Sequence, residues 1–256
     1  LNCSFNQIES LNLVTNTALT SVLCNNNNLF ALKVKNGANV LLSTFNATSN
    51  ASLFCIEVDD VANANAATGW QKDAQASYNL DCGTYIPDDN FEQALIDLGI
   101  DSDNALNNYV ATSDINALTS LNISGQAIAD LTGIEDFVAL QTLNCSNNAL
   151  TVLNLENNLA LANLNCSSNH IETLDVAVNT ALTTLLCNSN ALLTLNIENG
   201  NNSLLTAFNA TNNPSLFCIN VDDAIVGNIP GSWQKDAFAS YNGDCLNNRF
   251  TAIPDA

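Results

Sequence analysis

"LNCSSNHIETLDVAVNTALTTLLCNSN", residues 164–190, places Cys166 and Cys187 21 residues apart, and Cys145 lies another 21 residues upstream. The period is not confined to cysteine. Counted forward from Leu140, Leu161 and Leu182, the chain reads L-x-x-L-x-C-x-x-N-x-(L/I)-x-x-L-x-(L/V/I) three times. The fourth place holds Leu143, Leu164 and Leu185, and the ninth holds Asn148, Asn169 and Asn190. A diverged copy starts at Leu118, with Ile123 in the cysteine slot and Gln126 in the asparagine slot. Another, started at Leu204, puts Asn209 and Asn212 in those slots. Several slots repeating together at 20–29 residues describe a solenoid whose coils each bury one apolar face against their neighbours.

This pattern resembles the leucine-rich repeats, and the 21-residue form "LNCSNNALTVLNLENNLA" resembles the 21–22-residue repeats of secreted surface proteins of Bacteroidetes, flavobacteria in particular. The resemblance covers most of the chain. It implies short parallel strands on a concave face, a mostly irregular convex side, a helical front cap and a disulfide-bonded rear cap. In such a strand places four and six point inward, so Cys145, Cys166 and Cys187 form a row of small buried side chains, with Cys3 and Cys24 in an earlier array. A row in register spaces its Cβ atoms about 4.8 Å apart, whereas a disulfide needs about 3.8 Å. A straight row also cannot surround one zinc ion tetrahedrally. The asparagine column, with a second one at Asn16, Asn158 and Asn179, is expected to satisfy backbone groups where the chain turns.

A longer repeat contains the short one. Shifted by 163 residues, positions 1–82 fall on 164–245 with 49 of 82 identical, among them "WQKDA" and "SLFCI". The expected organisation is the rear part of one module (1–83), a complete module (84–245) and a linker opening a further module (246–256), a piece of a longer tandem protein. Within the complete module, 84–117 form the front cap, 118–216 five repeats and 217–245 the rear cap. In "IPDDNFEQALIDLGI" (86–100), Asp89 and Glu92 have capping-box spacing, and Phe91, Ala94, Leu95 and Leu98 share a helical face. Trp233, Ala237 and Tyr241 also have helix-compatible spacing. Cys55, Cys82, Cys218 and Cys245 stand outside the repeat slot; they read as two bridges, Cys55–Cys82 and Cys218–Cys245. Such bridges place the protein in an oxidising compartment, secreted or on the cell surface.

The net charge is −20, with only five lysines and arginines. That balance opposes nucleic acid and anionic membranes as partners, and no apolar run is long enough to insert in a bilayer. No nucleophile–base pairing, zinc triad or phosphate loop is visible, and the one histidine, His170, stands in a turn. The expected protein is not an enzyme and has no obligate cofactor. Calcium is the one ion with candidate ligands: Asp101, Asp103, Asn107 and Asp114 lie in one loop, although Ala105, Leu106 and Thr112 depart from the twelve-residue calcium pattern. The leading function is binding or adhesion to a glycan or protein through the concave face. Candidate residues are Asn144, Asn165, Leu186, Leu205 and Phe208, with Leu23 and Phe45 in the other module. The Leu186–Phe208 group reads either as a binding patch or as packing under the rear cap. Alternatives are a spacer or self-assembling fibre of neighbouring copies, and an ice-binding row.

Overall fold

The computed structural model describes residues 1–223 and 229–245. The proposed linker at 246–256 lies outside them. The chain divides into two compact units, Leu1–Tyr85 and Ile86–Ala256, each with its own apolar core.

In the second unit, strands Ser120–Asn122, Thr142–Asn144, Asn163–Asn165, Thr184–Leu186, Ala207–Ala210 and Gln234–Lys235 pair in that order, all parallel. Leu143 lies beside Leu164, and Leu164 beside Leu185. The architecture is a leucine-rich-repeat solenoid. Each coil turns inward on Leu140, Leu143 and Cys145 or their equivalents, and in the three coils that start at Leu140, Leu161 and Leu182 all nine are at most 1% exposed.

The opposite side is more regular than an irregular convex surface. Thr173–Asp175, Thr194–Asn196, Cys218–Asn220 and Ser240–Asn242 form a second parallel sheet. Its cause is in the second half of each repeat, where Leu174 and Val176, or Leu195 and Ile197, alternate inward with polar neighbours. The first unit has the same two ladders. Ser21–Leu23, Thr44–Asn46 and Trp70–Gln71 form one, and Ser10–Asn12, Ala31–Lys33, Cys55–Glu57 and Ser77–Asn79 the other.

Between the ladders the chain reverses through a left-handed residue, at Asn147, Ser168, Ser189 and Asn212. The next residue is the column asparagine. Asn169 donates from Nδ2 to the carbonyls of Cys145 and Cys166 (3.0 and 3.1 Å), and its Oδ1 accepts from Leu150 N at 3.1 Å. Asn190 repeats this one coil on. In the following coil the role belongs to Asn213, bonded to the carbonyls of Cys187 and Ala210, and not to Asn212. Leu185 accordingly pairs with Phe208, so the coil is 23 residues long and its frame starts at Leu205. Counting from Leu204 slips the strand by one residue, which turns every side chain to the wrong face.

The front cap is the helix Asp89–Asp97, with Phe91, Ala94 and Leu95 buried. Leu98 is exposed. The cap residue is Asp88, one before the expected position: its Oδ1 accepts from Asn90 N and Phe91 N. Its Oδ2 accepts from Ala129 N and Asp130 N, tying the helix to the first coil. At the rear, Trp233 and Tyr241 are not on a helix; the segment continues both ladders as Gln234–Lys235 and Ser240–Asn242. The disulfides Cys55–Cys82 and Cys218–Cys245 close the two rear caps, with Cα separations of 5.6 and 5.8 Å. No helix among the described residues is long and apolar enough to cross a membrane.

Candidate functional site

The corrected register changes the candidate patch. Phe208 is 3% exposed, Leu205 2% and Phe45 0%. Each is an inward residue of its coil, covered by the rear cap. The Phe208 ring lies 4.9 Å from that of Trp233, whose indole N–H donates to the Leu205 carbonyl at 2.7 Å. Phe45, Trp70 and the Leu42 carbonyl repeat the arrangement with the same distances. Apolar packing therefore holds these residues, and they do not form an exposed patch. Leu186 and its counterpart Leu23 remain half-buried on the outward face.

The remainder of "WQKD" is also structural. Lys235 donates to the carbonyls of Asp236 and Ala239, with its ammonium 5.4 Å from the Tyr241 ring centroid. Asp236 accepts from Asn212 N and Asn213 N at 3.0 and 2.8 Å. Sequence spacing alone gives no sign of the Asp236 role, because it joins a cap residue to a turn 24 and 23 residues away.

Four other outward positions of the second unit's first sheet carry the candidate site, with Asn46 as a counterpart in the first unit. Asn144 and Asn165 are both half-buried at strand ends. Asn144 Oδ1 accepts from Ser146 N (3.2 Å) and Ser146 Oγ (2.8 Å). Asn165 Oδ1 accepts from Ser167 N (3.1 Å) and Ser167 Oγ (2.7 Å). Asn122 with Ser124, Asn209 with Thr211 and Asn46 with Thr48 follow the same pattern. A backbone N–H only donates, so the amide oxygen must face it and the NH2 group must face away. No NH2 group of these asparagines hydrogen-bonds to another described residue. In the second unit Asn122, Asn144, Asn165 and Asn209 thus present oriented donors on strands spaced about 4.8 Å, interrupted by Leu186.

The acidic loop does not hold its four candidates as one ligand set. Asp103 accepts from Ala105 N and from Asn107 Nδ2, and Asp114 accepts from Ser102 N. These bonds close the loop on itself. No group of three or more His, Cys, Asp or Glu residues suited to a metal occurs among the described residues. The carboxylates whose charges act on Asp101 are Asp103 and Glu92, the latter read from the sequence only as a capping residue.

The thiols of Cys145, Cys166 and Cys187 are all 0% exposed and unbridged. Burial pushes Cys166 up to about 12 and Cys145 and Cys187 well above the usual thiol range. They are packing groups, unsuited to nucleophilic chemistry at neutral pH.

No family model matches the chain, and no curated protein matches it. Among solved structures it is similar to the functional domain of InlJ from Listeria monocytogenes, which includes a cysteine ladder. The two are 31% identical over 53% of this chain and 31% of that one, with a TM-score of 0.43. The internalin inlF from Listeria monocytogenes strain 4b F2365 is 17% identical over 89% of this chain and 66% of that one, with a TM-score of 0.37. This chain spans 31% and 66% of those two lengths.

Proposed function

We propose that the protein is a non-catalytic, extracellular binding module that recognises a glycan or a protein through the outward face of its first sheet. The observation that carries this reading is the row of amide donors at Asn122, Asn144, Asn165 and Asn209. Each is locked by its own strand-end turn, so little conformational entropy is lost when a ligand oxygen meets it. Carbonyls of an extended peptide and hydroxyls of a glycan are both suitable acceptors. The buried thiols and the structural roles of Lys235 and Asp236 are consistent with a module that binds without catalysis, and the two disulfides suit an oxidising, extracellular setting.

The test is an array screen with glycans and surface proteins, followed by the double substitution Asn144→Asp and Asn165→Asp. Aspartate keeps the oxygen that accepts from Ser146 and Ser167 but replaces the outward donor with an acceptor. The fold should persist while affinity falls about tenfold or more, from two lost hydrogen bonds. A ligand bound equally well by the variant would place the site elsewhere. The duplicated rear-cap geometry of the two units favours a second reading, a spacer of tandem modules. End-to-end assemblies seen by electron microscopy, with no saturable ligand, would support it.

A further inference from the structure

Between Lys72 and Lys235 the sequence contains no lysine or arginine, and its only basic side chain is His170. Within this stretch the front cap buries two carboxyl groups. Glu92 is 0% exposed and Asp101 2%. One oxygen of each is satisfied: Glu92 Oε1 accepts from Asn107 N (2.9 Å) and Tyr109 N (3.1 Å), and Asp101 Oδ1 accepts from Asp103 N (3.2 Å). The other two oxygens, Glu92 Oε2 and Asp101 Oδ2, are buried without a hydrogen-bond partner. Burial is the main force that raises the Asp101 carboxyl above its ordinary range, and the charges of Asp103 and Glu92 act in the same direction.

Buried carboxylates persist in folded proteins when a counter-charge accompanies them. No lysine or arginine of this stretch can supply one. We propose that Glu92 Oε2 and Asp101 Oδ2 bind a divalent cation of the calcium class, which fastens the loop 101–109 to the front-cap helix. Hard oxygen donors suit such an ion, and water completes its shell. Asp103 is exposed beside the pair and draws cations to the entrance, as does the net charge of −20. With two carboxylates in place of a full ligand cage, the affinity belongs to the weak, extracellular range. The competing arrangement is one proton shared by the two orphaned oxygens.

Thermal unfolding of the full chain at neutral pH separates them. The metal-stripped protein is compared with the same protein in millimolar calcium, with sodium chloride matching the ionic strength. The midpoint should rise by about 5 °C at saturating calcium. Glu92→Gln keeps Oε1 for Asn107 and Tyr109 and turns the other position into a donor towards Asp101. It should be at least as stable as the parent without calcium, and it should lose the calcium-dependent rise. Asp101→Asn should lose it too. A parent midpoint unmoved by calcium overturns the proposal, as does a rise that survives both substitutions. Stabilisation by mild acid with no response to calcium overturns it in favour of the shared proton.

Discussion

Phe208 and Trp233 pack tilted at 44°, with 4.9 Å between ring centroids, and the tryptophan covers an aromatic ring that belongs to the repeat core. The Tyr241 ring approaches both, at 6.5 and 5.8 Å. Phe208→Ala should therefore leave a cavity under the rear cap and cost about 3–5 kcal/mol, read from chemical denaturation. Phe217 is the contrast: 64% exposed, its truncation should change stability by less than about 0.5 kcal/mol. A Phe208→Ala protein as stable as the parent would return that ring to the surface and overturn the register.

Asp88 bonds four backbone N–H groups, two in its own helix and two in the first coil. Asp88→Asn keeps one acceptor oxygen and loses the other, so it should cost about 2 kcal/mol; Asp88→Ala loses both and should cost about 3 kcal/mol or more. Hydrogen exchange gives the local readout. In Asp88→Asn, Ala129 and Asp130 should lose protection while the helix amides Asn90 and Phe91 keep theirs. Equal loss at both places would show that the side chain does not bridge cap and coil.

Much of this fold is legible in the sequence because a solenoid writes each structural role at a fixed interval. The inward places, the asparagine column and the two bridges all follow from periodicity and its interruptions. Legibility ends where the interval changes. The coil carrying Phe208 is longer than its neighbours, and its two adjacent leucines, Leu204 and Leu205, allow two frames. The wrong frame exposes Phe208 and assigns Asn209 to the cysteine slot; the true one puts Ala210 there and restores Asn209 to the outward amide row. The second ladder is written in the L-x-(L/V/I) pair that ends each repeat, an alternation as short as that of the first ladder, but the resemblance implied an irregular surface on that side. Glu92 was hidden because its partners are backbone groups 15 and 17 residues away.

The thiol row sets an alkaline limit on stability. Burial pushes the Cys24 and Cys166 thiols up to about 12 and raises Cys145 and Cys187 as well. An unfolded thiol ionises near 8.5. The unfolded chain therefore holds fewer protons across the interval, and stability must fall as pH rises from about 9 towards 12, by about 1.4 kcal/mol per pH unit for each such thiol. Below pH 8 this contribution is fully present. Denaturation at pH 8 and pH 10 should reveal the loss, and Cys166→Ala should reduce the slope. Non-reducing peptide mapping should recover only Cys55–Cys82 and Cys218–Cys245; a link between cysteines 21 residues apart would contradict the buried row.

Asn169 and His170 are sequence neighbours with opposite expected effects. Asn169 is 7% exposed and satisfies Leu150 N and the carbonyls of Cys145 and Cys166. Asn169→Ala leaves all three buried groups without this partner, at a cost of about 3 kcal/mol. His170 is exposed in the turn, so His170→Ala should be silent within about 0.5 kcal/mol. Asn169→Asp adds a discriminating case. Its oxygen can still accept from Leu150 N, but the donors are lost and a negative charge meets two carbonyl oxygens. It should be at least as damaging as alanine at neutral pH. If aspartate were tolerated there, the column would be an acceptor ladder and its donor bonds to the strand carbonyls would contribute little.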